Sequence, residues 1–274
     1  MRLTTKIVLG IILSIYLLAL GLIIGFSFTD RVNNDWSRNH ANRSTISQEN
    51  RISVDVKPYN TIWLDLRHDY TIVMIGTLHI KPIVNPEEKD KVFLSEELSQ
   101  FVNIISSNDT LIIRLKEKEL DDKYYIKNKK INHTLIDGFN FHVYTDKIDI
   151  INNVSNIKTI IQNVTADRMN FSSLGDIYID SCQANIIEPE VRGSDKEFRL
   201  KNTQAKELNI DLDWMTYNWS VENCDIEVEN LTGHADHDIQ FPKSEAKILN
   251  WIPKNKDAQL NVTLFGDTAR IVFP

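Results

Sequence analysis

The chain has 274 residues and a mass of 31.7 kDa, enough for one large domain or two small ones. Lys and Arg total 31 against 38 Asp and Glu, a net charge of −7, which argues against a nucleic-acid partner because phosphate neutralisation needs a clustered basic surface. With 42% hydrophobic and 25% charged residues, and only 9 Gly and 7 Pro, disordered, collagen-like and linker-like classes are excluded.

Residues 7–28 read IVLGIILSIYLLALGLIIGFSF, an uncharged apolar run. At about 1.5 Å rise per residue it spans roughly 33 Å as a helix, enough for the hydrocarbon core of a bilayer. Arg2 and Lys6 precede it, and the positive flank stays in the cytoplasm. The expectation is therefore a cytoplasmic stub and transmembrane anchor over 1–29, in contact with lipid through 7–28. The rest of the chain lies in the periplasm or outside the cell. A cleaved signal peptide is the alternative, but its apolar region is shorter, about 7–15 residues, and ends in a small-residue cleavage site. Residues 30–51 are polar and without strand or helix period, and read as a tether.

From residue 52 to 274 the pattern predicts a β-rich exported head. Alternating stretches at 52–56, 61–66, 70–75, 78–84, 110–115 and 139–144 place one face on a core and the other in water. Residues 95–102 suit a short helix. The charged segments 86–91 and 116–130 read as exposed loops.

An internal period is clearest at 159–274. Asn163, Ser181, Asn202, Asn223 and Asn250 align as anchors. Two positions before them stand Ile161, Ile179, Leu200, Val221 and Ile248, and three after the first four stand Ala166, Ala184, Ala205 and Ile226. The positions just after the anchors are Val164, Cys182, Thr203, Cys224 and Trp251. A period near 20 residues that alternates strand and turn is what a β-solenoid, or parallel β-helix, requires, since each coil buries its inward face only against the next. The long last step places 231–243 in a side loop. An antiparallel β-sandwich is the alternative fold.

The runs VFLSEELSQFVNIISSNDTLIIRL at 92–115 and FNFHVYTDKIDIINNVSNIKTIIQNV at 139–164 resemble the head GIN domain family, auto-transporter adhesins of bacterial envelopes. The resemblance covers most of 52–274. It implies a β-solenoid-like head, an envelope location and no assigned catalytic residues. The family is usually Gly-rich at its turns, where this chain uses Asn.

The two cysteines, Cys182 and Cys224, fall in one column two coils apart. At about 4.8 Å per strand their Cα atoms stand about 9.6 Å apart. A disulfide needs less than about 7 Å, so the expectation is two free buried thiols flanking Thr203. His234, Asp236 and His237 are weak metal candidates, short of the four ordered ligands of a structural site. Trp214, Tyr217 and Trp219 are possible contact aromatics that could stack on sugars or anchor a protein, or else cover a coil junction. Nine N-x-[ST] triplets, among them Asn153 and Asn230, are glycan acceptors in a eukaryotic secretory pathway and plain turn composition in a bacterium. Asp180, Glu222, Asp211 and Asp213 are the acids that a polysaccharide-active enzyme on a β-helix would pair. No phosphate-binding loop, nucleophile elbow or HExxH motif occurs, and no catalytic residue or cofactor is assigned. The sequence thus points to a non-catalytic envelope head for adhesion or scaffolding that contacts an unidentified protein or glycan. A polysaccharide-active enzyme and a regulatory partner of an envelope complex are the alternatives.

Overall fold

The computed structural model describes residues 42–68, 72–124, 134–193, 195–215, 219–241, 246–264 and 271–272. The expected membrane segment, 7–28, lies outside the described residues. Among the described residues no helix is long and apolar enough to cross a membrane. In chain order come β1 (Asn42–Thr45), β2 (Arg51–Asp55), β3 (Thr61–Asp65), β4 (Ile72–Lys81), a 3-10 turn (Pro86–Glu88) and β5 (Lys91–Ser95). Then follow α1 (Glu96–Phe101), β6 (Val102–Ser107), β7 (Thr110–Leu115), α2 (Glu117–Tyr124) and β8 (Thr134–Tyr144). Next are β9 (Ile150–Asn153), β10 (Lys158–Gln162), β11 (Thr165–Ser173), β12 (Ile177–Asp180), β13 (Gln183–Val191), β14 (Phe198–Lys201) and β15 (Gln204–Asp211). The chain ends with β16 (Trp219–Glu222), β17 (Asp225–Gly233), β18 (His237–Phe241), β19 (Ala246–Pro253), β20 (Leu260–Leu264) and β21 (Ile271–Val272).

The protein is mainly β and is built on two large open sheets. One runs β16-β14-β12-β10-β4-β8-β5-β2, with β1 on β8; the other runs β21-β19-β17-β15-β13-β11-β9-β3-β7-β6. Strands β18 and β20 form a separate parallel pair. Both sheets contribute to one hydrophobic core, as the sandwich alternative expects. The strand directions differ from that alternative: among the described residues, antiparallel pairing is confined to β2–β5, β5–β8 and β6–β7. From β9 to β17 successive strands belong alternately to the two sheets, and each from β9 to β15 pairs in parallel with the strand two places on.

The expected columns are register neighbours. Ile161, Ile179, Leu200 and Val221 face one another in sequence, as do Ala166, Ala184, Ala205 and Ile226. Their anchors are the corners. Asn163, Ser181, Asn202 and Asn223 have φ of 58°, 57°, 50° and 53°. This left-handed turn is one that Asn adopts more readily than most side-chain-bearing residues, so Asn serves where a Gly-rich chain would use Gly.

The fifth anchor is a correction. Asn250 lies inside β19 opposite Asn230, and it is Ala246 that continues the alanine column opposite Ile226. The side loop expected at 231–243 is likewise not one: β17 runs to Gly233 and β18 begins at His237.

Three further expectations change. The stretch read as a tether is described from residue 42, where β1 pairs with β8 and Ile46 is fully buried. The segment read as a charged loop at 116–130 contains α2, which buries Leu120 and Asp121; apolar Leu120 and Tyr124, one helical turn apart, form its inner face. There His68 Nε2 meets Asp121 Oδ1 at 3.0 Å, both side chains shielded from water. Cys182 is buried and Cys224 only half-buried, because Cys224 lies near the edge strand β16; the two are not joined in a disulfide. Burial pushes the Cys182 thiol up to about 11.

Candidate contact site at the strand ends

Because β13, β15, β17 and β19 are parallel and in register, their exits line up along one edge. That edge gathers Arg192, Asp213, Trp214, His234, Lys254 and Asn255. Its hub is Asp213. The carboxylate accepts the His234 backbone N–H at 2.9 Å and meets His234 Nδ1 at 2.7 Å, His237 Nε2 at 3.2 Å and Lys254 Nζ at 2.9 Å. Lys254 also reaches Asp211 at 2.5 Å. Burial raises the Asp213 pKa, but the His234 and Lys254 hydrogen bonds outweigh it and hold the carboxyl well below the usual carboxylate range. Burial likewise opposes the Lys254 charge, and its two carboxylate partners overcome that and raise its pKa.

Gly233 makes room for this arrangement. A Cβ there would stand 2.5 Å from His237 Nε2 and 3.1 Å from the Trp251 ring. Between Gly233 and His237 the chain turns so that both imidazoles point back to one carboxylate. Asp236 is exposed and stands outside the network. Among the described residues no group of three or more His, Cys, Asp or Glu side chains is disposed to hold a metal ion.

The acids of the enzymatic alternative are engaged in the same way. Asp180 accepts from Asn202 at 2.9 Å and from Ser181 at 3.0 Å, and Glu222 lies 3.4 Å from Lys201. Lys201 stands between Asp180 and Glu222 in the register. A general acid needs a raised pKa near neutrality. Asp213 departs in the opposite direction.

The three aromatics separate. Trp214 is 49% exposed, with the Arg192 guanidinium 5.1 Å from its ring centroid and Glu190 holding Arg192 at 2.6 Å. Trp219, the first residue of β16, packs half-buried against the core. Tyr217 lies outside the described residues. Of the glycan-acceptor triplets, Asn153 is fully buried and donates to the Ile157 carbonyl at 2.8 Å.

Sequence reasoning did not find Lys254, Asn255 or Gly233. The signal was present in the 21-residue step. His234 follows Asp213 by 21 and bonds to it, and Asn255 follows His234 by 21 and donates to its carbonyl.

No protein-family model matches the chain, and none of the curated proteins matches it. Solved structures do. A "putative adhesin" from Bacteroides fragilis superposes with a TM-score of 0.50 at 13% identity, over 83% of this chain and 99% of that one. The likeness is one of fold. A second adhesin-named protein, from Parabacteroides distasonis, has a TM-score of 0.39 at 12% identity over 85% of this chain and 100% of its own. A protein from the same species named for lipid binding has a TM-score of 0.42 at 12% identity over 84% and 99%.

Proposed function

We propose that this chain is a single-pass membrane protein of the bacterial cell envelope whose head works by contact, in adhesion or scaffolding, and not by catalysis. Residues 7–28 anchor it with the N-terminus in the cytoplasm and the head in the periplasm or outside. The head is read as a β-solenoid of the head GIN type, capped by β2, β5 and the β6–β7 hairpin. One observation carries the reading: strands that alternate between two sheets and stack in parallel register turn single side chains into unbroken outward rows. Asn209, Asn230 and Asn250 form such a row, with Asn230 donating to Asn209 at 2.8 Å and Asn250 to Asn230 at 2.9 Å. A rigid ruled surface of this kind suits large partners. The adhesin name of the Bacteroides fragilis structure supports the same reading.

The test is display of the full chain on a non-adherent bacterium, scored by retention on immobilised envelope material. Retention several-fold above the empty host, lowered by Trp214→Ala, supports contact. Retention at the level of the host overturns it. Release of new reducing ends from polysaccharide, abolished by Asp213→Asn, would establish the enzyme instead.

A further inference from the structure

The outer face of the first sheet carries a cleft of about 640 Å³ at its β2–β5 edge, lined by none of the residues around Asp213. That volume is within the roughly 300–1,000 Å³ typical of small-ligand sites. The 3-10 turn before β5 forms one wall and the outward residues of β2, β5 and β8 form the floor. Outward alternation brings Phe93 opposite His142 of β8, and Tyr144 stands two residues further along that strand. The Phe93 and Tyr144 rings meet edge to face at 5.5 Å. Arg51 ties them together, its guanidinium 4.7 Å from the Phe93 centroid and its Nη2 donating to the Tyr144 hydroxyl at 3.1 Å.

The wall is equally fixed. Glu88 accepts the backbone N–H groups of Val84 and Asn85 at 3.2 and 3.1 Å, which lowers its pKa and anchors the turn. Glu87 and Lys91 complete the charged lining, so two cations face two carboxylates. A cleft with no net charge has no preference for phosphate or a polyanion. Half-buried aromatic rings beside fixed acceptors and donors suit a molecule whose apolar ring faces alternate with hydroxyls that both donate and accept. We propose that this cleft binds a short segment of uncharged oligosaccharide, with Phe93 and Tyr144 as the stacking surface and Glu87 and Lys91 as hydroxyl partners. The proposal deepens the contact reading and rests on it.

The experiment is calorimetric titration of the full chain in lipid nanodiscs. The neutral probes are maltotriose, N,N′-diacetylchitobiose and N-acetyllactosamine; the charged probes are inorganic phosphate and digalacturonate. Binding of at least one neutral probe is expected, weakened about tenfold or more by Phe93→Ala, as for loss of an aromatic anchor. Phe93→Leu, which keeps an apolar side chain, should give a similar loss and covers the case in which Phe93→Ala fails to fold. Failure of all three neutral probes, equal or tighter binding of a charged probe, or affinity unchanged in Phe93→Leu each overturns the assignment. The display assay separates the two readings: retention without saccharide binding leaves the contact head standing and removes only this cleft.

Discussion

Acid should weaken this fold through one stacked pair of imidazoles. His79 and His142 face each other across β4 and β8, with ring centroids 4.9 Å apart and planes within 8°. Burial, then Arg51, His79 and Lys81, lower the His142 pKa from 6.5 to about 4, and burial and Lys81 lower that of His79. A histidine whose pKa is depressed on folding binds its proton better when unfolded. Its contribution is therefore complete above about pH 6.5 and is lost as pH falls from there towards 4. The full drop at His142 corresponds to at most about 3.4 kcal/mol, at about 1.36 kcal/mol per pH unit. The ring is only half-buried, so solvent screening reduces this to roughly 1–2 kcal/mol. Urea midpoints of the full chain at pH 7.5, 6, 5 and 4.5 read the loss directly. In His142→Gln most of the decline between pH 6.5 and 4.5 should vanish. The lowered carboxylates, such as Glu97 and Glu197, act mainly below that window and are common to both proteins. If the variant loses as much stability over the window as the parent, the imidazole pair is not the cause.

Four other outcomes follow from the same geometry. Leu200→Ala, in a fully buried position between Ile179 and Val221, should lower stability by about 2–5 kcal/mol in denaturant titration. At the Asn202 corner, where φ is 50°, Asn202→Val should destabilise by about 1–2 kcal/mol while Asn202→Gly stays near neutral, as melting scans would show. Cys182, buried and with its pKa raised to about 11, should resist iodoacetamide at pH 8 in the native protein and react once the chain is unfolded, as peptide mass mapping would show. Gly233→Ala, which drives a methyl against His237, should cost about 1–3 kcal/mol and move the His234 and His237 imidazole resonances together.

How much of this was legible depended on whether a residue's role leaves a mark in its chemical type. The inward columns did, because Ile161, Ile179, Leu200 and Val221 must all be apolar to seal successive strands. The first four corners did as well, since few residues besides Gly tolerate the left-handed turn. Helix α2 did not. Its Lys- and Glu-rich sequence reads as solvated, and only Leu120 and Tyr124 mark the buried face. Asp121, 3.0 Å from His68, is an acidic residue in a buried position, which no hydropathy pattern reveals. Glu229 is a second case: it is buried in a column between Leu208 and Leu249, where the pattern alone would place another apolar residue.

The misplaced fifth anchor shows where a residue type carries two roles in one chain. Asparagine turns the corners at Asn163, Asn202 and Asn223, with positive φ, and it also forms the ladder Asn209–Asn230–Asn250 inside extended strands. Spacing alone does not separate the two. Chemistry three residues on does: after each true corner stands Ala or Ile with a free N–H for the parallel ladder, whereas Asn250 is followed at that distance by Pro253. Proline lacks that donor and sits at strand ends or edges. Pro253 therefore marks where β19 ends, and Asn250, three residues before it, stands inside that strand and not at a corner.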